Sequence, residues 1–386
     1  MNRVVPPSSA HDERVTARIG LWLGVSFGLC FVTGLISHLI QHPPSWFLWP
    51  SRPVWLYRVT QGAHVISGVA SIPLLLGKLW SVYPKLFQRP LIRSMVHALE
   101  RLSILVLSAS AFFELVTGLF NVAQNYPWNF YFPEVHYAVA WVAIGSVIVH
   151  VAVKLPVVRR ALGRERKPDM AGVSRRRFLR TTFLASGVAV VATAGATVPL
   201  LRDVSVLSWR TGRALPVNRT AVAAGVSEAA RDPGWRLEIL APRGIRSFSL
   251  DELAALPQTT ADLPIACVEG WSQSAIWTGV SLPDLLRAVG SGPGAVVTVT
   301  SLEKNGIYAR SSLPGEHTAD PVTLLALRLD GEVLSLDHGY PCRIIAPNRP
   351  GVLQTKWVTR LEVGRRPAVF CWPCLGLSRS GGGSSS

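Results

Sequence analysis

The chain has 386 residues, of which 49% are apolar and only 16% charged, with a formal net charge of +16. That length allows more than one domain, and so apolar a composition argues against a single water-soluble domain. The basic residues alternate with apolar runs instead of forming one polar face, which sets aside a nucleic-acid partner and points to a lipid bilayer.

Five apolar runs reach the roughly 20 residues needed to cross a bilayer. They cover about Ile19–Ile40, Val59–Leu79, Leu102–Ala123, Val135–Val153 and Thr181–Leu201. The connector 78–101 carries Lys78, Lys85, Arg89, Arg93 and Arg101, and ten basic residues lie between Lys154 and Arg180. Connectors 41–57 and 124–134 have almost none and are rich in Pro and Trp instead. Basic connectors stay on the cytoplasmic side. The expected layout is therefore a cytoplasmic N-terminus (1–18) and a four-helix membrane domain (19–155). A basic linker (156–180) and an anchor helix (181–201) follow. Everything beyond about Arg202 is expected outside the cytoplasm, and a signal peptide is not expected, because the first apolar run is too long for one.

His38, His64, His97, His136 and His150 lie in or beside the first four runs. Intramembrane histidine reads as functional by default. His136 and His150 are 14 residues apart, which on a helix is within about 40° of one face and roughly 21 Å along the axis. That spacing suits two b-type haems, one near each surface, as in the diheme cytochrome b subunits this region resembles. The topology pairs His64 with His136 at the outer level and His97 with His150 at the inner level, since bis-His ligation takes one histidine from each of two helices. His38 and His11 are alternative ligands, and His38 alternatively contacts a quinone. Interfacial histidines without a ligand role are the plain alternative. Glu114, inside the third run, reads either as a proton or quinone group or as a polar contact between helices.

Ser174-Arg175-Arg176-Arg177-Phe178-Leu179-Arg180 resembles a twin-arginine export signal, and because the whole seven-residue pattern fits, that reading is favoured over a stop-transfer basic cluster at a helix end. Such export carries folded cargo, so the following domain is expected to take up a cofactor before it crosses.

Residues 202–366 read as a mixed α+β domain with short β-rich runs such as Ala295–Ser301 and Trp357–Val363, and 367–386 as a Cys371-Trp-Pro-Cys374 segment with a Gly/Ser-rich tail. The two cysteines suit a disulfide or an exposed redox pair, and the lack of a following His excludes covalent haem attachment. Ile265-Ala-Cys267-Val-Glu-Gly-Trp-Ser272, then Trp277-Thr-Gly-Val280, and Asp337-His-Gly-Tyr-Pro-Cys-Arg-Ile-Ile-Ala-Pro347 with Gly351 and Lys356-Trp-Val358 together resemble the sulfite-oxidase-type molybdopterin domain. The branch containing the bacterial periplasmic methionine sulfoxide reductase is the nearest likeness. The resemblance covers about residues 209–364.

The resemblance implies that Cys267 ligates molybdenum, and a soft thiolate suits that metal. It implies that His338 and Arg343 hold the pterin while Gln354, Thr355 and Lys356 cradle its phosphate, with Ser301 and Asn218 as further contacts. Tyr308 matches an active-site tyrosine or is a core tyrosine. A buried structural cysteine is the alternative for Cys267. Glu269-Gly-Trp-Ser272 contains no arginine to hold sulfite, which turns the substrate expectation toward an S-oxide or N-oxide. The expected whole is a bacterial membrane enzyme exchanging electrons between the quinone pool, haem b and an extracytoplasmic molybdenum site. That site passes an oxygen atom to or from a small molecule. A haem-free anchored protein using a separate donor and a non-catalytic electron-transfer component are the alternatives.

Overall fold

The computed structural model describes residues 11–86, 94–163, 171–208, 210, 212 and 214–364. Cys371 and Cys374, and the tail, lie outside the described residues. The chain divides into two compact units. One is Met1–Pro216 together with Pro264–Ser274 and Asn348–Gly351; the other is Val217–Leu263, Ala275–Pro347 and Val352–Ser386.

The first unit is helical: α1 (Glu13–Gln41), α2 (Leu56–Leu86), α3 (Met95–Ala123), α4 (Phe132–Gly163) and α5 (Ala171–Thr193). The first four contain stretches long and apolar enough to cross a membrane: Glu13–Gln41, Leu56–Lys85, His97–Ala123 and Phe132–Gly163. A 29-residue helix such as α1 rises about 1.5 Å per residue and so exceeds a hydrocarbon core of about 30 Å. Leu21, Trp22, Val25, Leu29 and Val32 of α1, and Ile148, Val149, Val151 and Val153 of α4, are exposed. In water such faces would be unpartnered; lipid covers them without cost. Pro73 and Pro84 lie within α2 and Pro156 within α4, as membrane helices tolerate.

The fifth apolar run forms a helix, but not over the expected residues. α5 starts ten residues before Thr181 and ends at Thr193, and the chain then turns into a short 3-10 helix at Pro199–Leu201. α5 is not among the helices apolar enough to span, because its first three turns hold Arg175, Arg176, Arg177 and Arg180. The arginine segment is thus part of a helix. Arg175 pairs with Asp12, the N-cap of α1, at 3.3 Å. Further along, α5 packs on α2 through small polar groups: Ser186 Oγ donates to the Ala70 carbonyl at 3.0 Å, and Thr182 fills the space above Gly77.

The second unit is built around two five-stranded sheets. One has the order β2 (Gly244–Phe248), β1 (Leu237–Ala241), β10 (Val358–Val363), β5 (Val297–Ser301), β6 (Arg310–Leu313). The other runs β3 (Gln258–Ala266), β4 (Ser272–Ser281), β7 (Leu324–Leu329), β8 (Glu332–Val333), with β9 (Arg343–Ile345) on β7. Alternating side chains of both sheets, among them Leu237, Ile239, Val297, Val299, Leu325, Ile344, Val358 and Leu361, join Leu282, Leu285 and Leu286 of α8 (Leu282–Ala288) in one core. The middle of β4 requires glycine: a Cβ on Gly279 would sit 2.1 Å from the Leu325 carbonyl oxygen, where the β4–β7 register shifts.

Candidate functional site

Strand β3 ends at Ala266, which bridges to Pro350, and the chain then turns tightly. The Cys267 amide donates to the Trp271 carbonyl at 2.8 Å, and the Gly270 amide to the Cys267 carbonyl at 3.0 Å. Gly270 has a φ of 90°, a conformation that glycine adopts without a Cβ clash. Gly351 lies so close that a Cβ there would be 3.6 Å from Cys267 Cα. Cys267 is 1% exposed and not in a disulfide.

This loop is fastened to the ends of the helices that border connectors 42–55 and 124–131. Gln61 Nε2 and Asn121 Nδ2 both donate to the Val268 carbonyl, at 3.1 and 3.2 Å. Thr197 Oγ1 donates to the Gly270 carbonyl, the Ser272 amide to the Ala196 carbonyl, and Arg58 Nε to Ser272 Oγ. Asn348 accepts from the Tyr57 amide at 2.6 Å and donates to the Pro50 carbonyl at 2.7 Å. Gln124 bonds the Glu269 carboxylate, which Arg210 approaches at 3.6 Å. Burial pushes the Glu269 carboxyl up to about 7 against the opposing pull of Arg210. Arg349, also in this unit, is buried, and desolvation draws its guanidinium down to about 10.

The expected pterin-binding residues belong to the other unit. Arg343 is buried; its Nη1 donates to the His338 carbonyl at 2.9 Å and its Nη2 to the Gln354 carbonyl at 3.2 Å. The guanidinium lies 5.1 Å over the Trp277 ring. Arg343 Nε and the Trp277 indole nitrogen are buried donors without a partner among the described residues. Two adjacent orphan donors fit an acceptor-rich ligand. Burial draws Arg343 down to about 9, and burial together with Arg343 draws Lys356 down to about 7. Two desolvated cations in one place would be offset by an anion such as the pterin phosphate. Gly339, at a φ of 110°, lets these two stems approach; a Cβ would meet both within 3.2 Å.

The other expected contacts also carry structural bonds. Gln354 grips the Ala346 backbone with both ends of its amide, Thr355 shares a buried bond with Ser311, and Ser301 accepts from the Glu303 amide and donates to the Lys356 carbonyl. His338 Nδ1 bonds Ser335 Oγ at 2.8 Å. Asn218 is exposed beside Arg219, whose carbonyl accepts from Lys356 Nζ. Tyr308 is half-buried in the β5–β6 connection.

In the helical unit, His64 and His136 come together, ring centroids 6.5 Å apart. Two imidazoles on one metal, each with its nitrogen at about 2 Å, place their centroids roughly 6 Å apart. His64 Nδ1 donates to the Cys30 carbonyl at 2.8 Å and lies 3.5 Å from the Cys30 sulfur, and Thr117 Oγ1 bonds His136 Nδ1 at 3.1 Å. Such bonds orient ligand histidines and leave Nε2 to the metal. At His136, however, Nε2 is held by Glu114 at 3.1 Å, so iron there would have to displace that carboxylate. His38 instead stacks on Tyr137, and His11 Nδ1 bonds the Ser81 carbonyl. His97 accepts from Arg101, and Glu100 pairs with Lys154. Among the described residues no group of three or more His, Cys, Asp or Glu side chains could hold a metal by itself.

Residues 224–372 match the family described as oxidoreductase molybdopterin binding domain. The chain carries a sulfite-oxidase-type molybdopterin-binding domain. Mitochondrial sulfite oxidase of Drosophila melanogaster is 29% identical over 36% of this chain and 28% of its own length. A putative protein-methionine-sulfoxide reductase subunit YedZ1 of Azospira oryzae is 30% identical over 35% of this chain and 51% of its own. The sulfane dehydrogenase SoxCD of Paracoccus pantotrophus shares 26% identity over 34% of this chain and 38% of its own, with a TM-score of 0.31. The chain thus spans about a quarter to a half of the curated relatives named here.

The loop's partners Gln61, Asn121, Thr197 and Arg210, and the buried Arg349, escape sequence reading. Polar residues at helix ends are common. Only the dense run of loop-facing groups in the fold distinguishes these.

Proposed function

We propose that the chain is a membrane-anchored molybdopterin oxidoreductase that transfers an oxygen atom, with reduction of an S-oxide or N-oxide favoured. In balance, a quinol loses two electrons and two protons, the oxide gains them, and its oxygen leaves as water. Cys267 carries the reading: a buried thiol closing a tight loop within the matched domain, in a unit whose helices can span a membrane. Bound molybdenum would supply the two-electron oxygen-atom chemistry. Cys267 would ligate it; Arg343, His338 and Lys356 would hold the pterin and its phosphate, with Asn218, Ser301, Gln354 and Thr355 around them and Tyr308 toward the substrate. The methionine-sulfoxide reductase relative supports the reductive direction, and the absence of an arginine in Glu269–Ser272 turns the reading from sulfite.

The membrane half is read as the electron entry, with haem b between His64 and His136 toward the outer surface and between His97 and His150 toward the inner one. The 6.5 Å ring separation and the Nδ1 partners support the outer site. The Glu114–His136 pair favours a second reading, in which the helices carry no haem and a separate donor serves the domain. The export segment and an extracytoplasmic placement at a bacterial cell membrane belong to the same proposal.

The test is metal analysis with EPR on the purified full chain and on Cys267→Ser. The variant is expected to lose the wild-type molybdenum signal; an unchanged signal would refute the ligand role. A reduced-minus-oxidised spectrum without a b-type α-band decides for the haem-free reading.

A further inference from the structure

Val268, the residue after the proposed metal ligand, has its carbonyl bound by two carboxamides from two different helices. Gln61 comes from the start of α2 and Asn121 from the end of α3. Each carboxamide is itself oriented by a tyrosine hydroxyl. Tyr57 donates to Gln61 Oε1 at 3.4 Å, and Tyr126 to Asn121 Oδ1 at 2.8 Å. The hydroxyls occupy the amide oxygens, so both NH2 groups are turned to Val268. Packing adds to this: a Cβ on Gly270 would lie 3.0 Å from a methyl of Val65 and 3.3 Å from one of Val122. Val65 follows His64 in α2, and Gln61 precedes it by three residues, about one turn. One short stretch of α2 therefore both touches the Cys267 loop and carries His64.

We propose that Gln61 and Asn121, oriented by Tyr57 and Tyr126, are positioning residues that seat the Cys267 loop on the helix ends, coupling it to the His64 segment within one chain. This rests on the reading of Cys267 as the metal ligand, and the turnover arm rests also on the reading of the helices as the electron entry; exchange tests the seat without either. A lone amide on a loop carbonyl is common. Two that converge from separate helices, each with its amide oxygen facing a tyrosine hydroxyl (closely at Tyr126, more loosely at Tyr57, which also bonds Ser37 at 2.9 Å), define where that carbonyl can be. The seat is part of the chain, so electrons from the helices need no dissociating carrier to reach the loop.

The test uses the near-isosteric variants Gln61→Met and Asn121→Leu, singly and together, in the full chain in nanodiscs. They keep the approximate volume and cannot donate. Hydrogen exchange of the peptide covering 266–272 reports the seat directly, with or without cofactor, because the amides of Cys267, Gly270 and Ser272 are bonded within it or to Ala196. Each bond contributes about 1 kcal/mol, so exchange is expected to rise about fivefold in each single variant and more than tenfold in the double. Peptides of α4 should keep wild-type exchange. In loaded protein, the ratio of turnover driven by a short-chain quinol to that driven by reduced viologen, on dimethyl sulfoxide, should fall about tenfold in the double variant. Wild-type exchange at 266–272 overturns the proposal, as does an unchanged ratio. A wild-type chain without molybdenum defeats the functional reading instead, and exchange still decides the seat.

Discussion

Alanine at Gly270 perturbs the Cys267 loop in two separable ways. Its φ of 90° puts a Cβ into a disfavoured backbone region, at about 1–2 kcal/mol. The same Cβ would press on Val65 at 3.0 Å and Val122 at 3.3 Å, an overpacking of about 1–3 kcal/mol. Together they should raise local opening of 266–272 by at least about thirtyfold in hydrogen exchange. Gly225→Ala calibrates the backbone part, because Gly225 has a φ of 67° and no atom within 4 Å of a Cβ. Its local opening should rise by only about tenfold. Adding Val65→Ala to Gly270→Ala should return the packing part and leave the backbone part, a coupling of about 1 kcal/mol or more in a double-mutant cycle. If the two substitutions add without coupling, the loop does not bear on Val65 and its packing on α2 is refuted.

Gly279→Ala should abolish folding of the sheet domain, measured as loss of protease resistance of residues 217–364, since backbone lies 2.1 Å from the new Cβ. Arg343→Met strips two carbonyls, that of Gln354 buried and that of His338 half-buried, of their donor and removes a cation from the expected pterin site; cofactor retained after purification should fall at least about tenfold. Arg343→Lys should not restore it, because one ammonium does not reproduce the guanidinium fork. Lys356 is held down to about 7 chiefly by desolvation, against about 10.4 unfolded. Between those values the unfolded chain binds a proton that the folded one does not. Stability of cofactor-free protein should therefore rise from about pH 7 to 10, by less than about 1.4 kcal/mol per unit, and fall back as pH drops toward 7. Lys356→Met should flatten that window in thermal melts; an unchanged slope would show that another group carries it.

Length and hydropathy alone located the four helices able to span a membrane, because bilayer thickness imposes a long uninterrupted apolar run. The fifth run is a different case. Its sequence reads as an anchor, but helix propensity carried the helix back through Arg175–Arg180, and the turn at Ala194 ended it early. The domain's motifs were legible because each has a strict local requirement: Gly270 and Gly339 for positive φ, Gly279 for room against β7, and Arg343 for its two carbonyls. No run of residues could say that Gln61 and Asn121, 60 positions apart in sequence, meet on one carbonyl more than 140 positions further on. Nor could it say that Glu114 would take the His136 nitrogen. Periodicity and composition report what each segment must bury. Which polar groups then face one another depends on how the helices and the loop pack, and only the tertiary structure decides that.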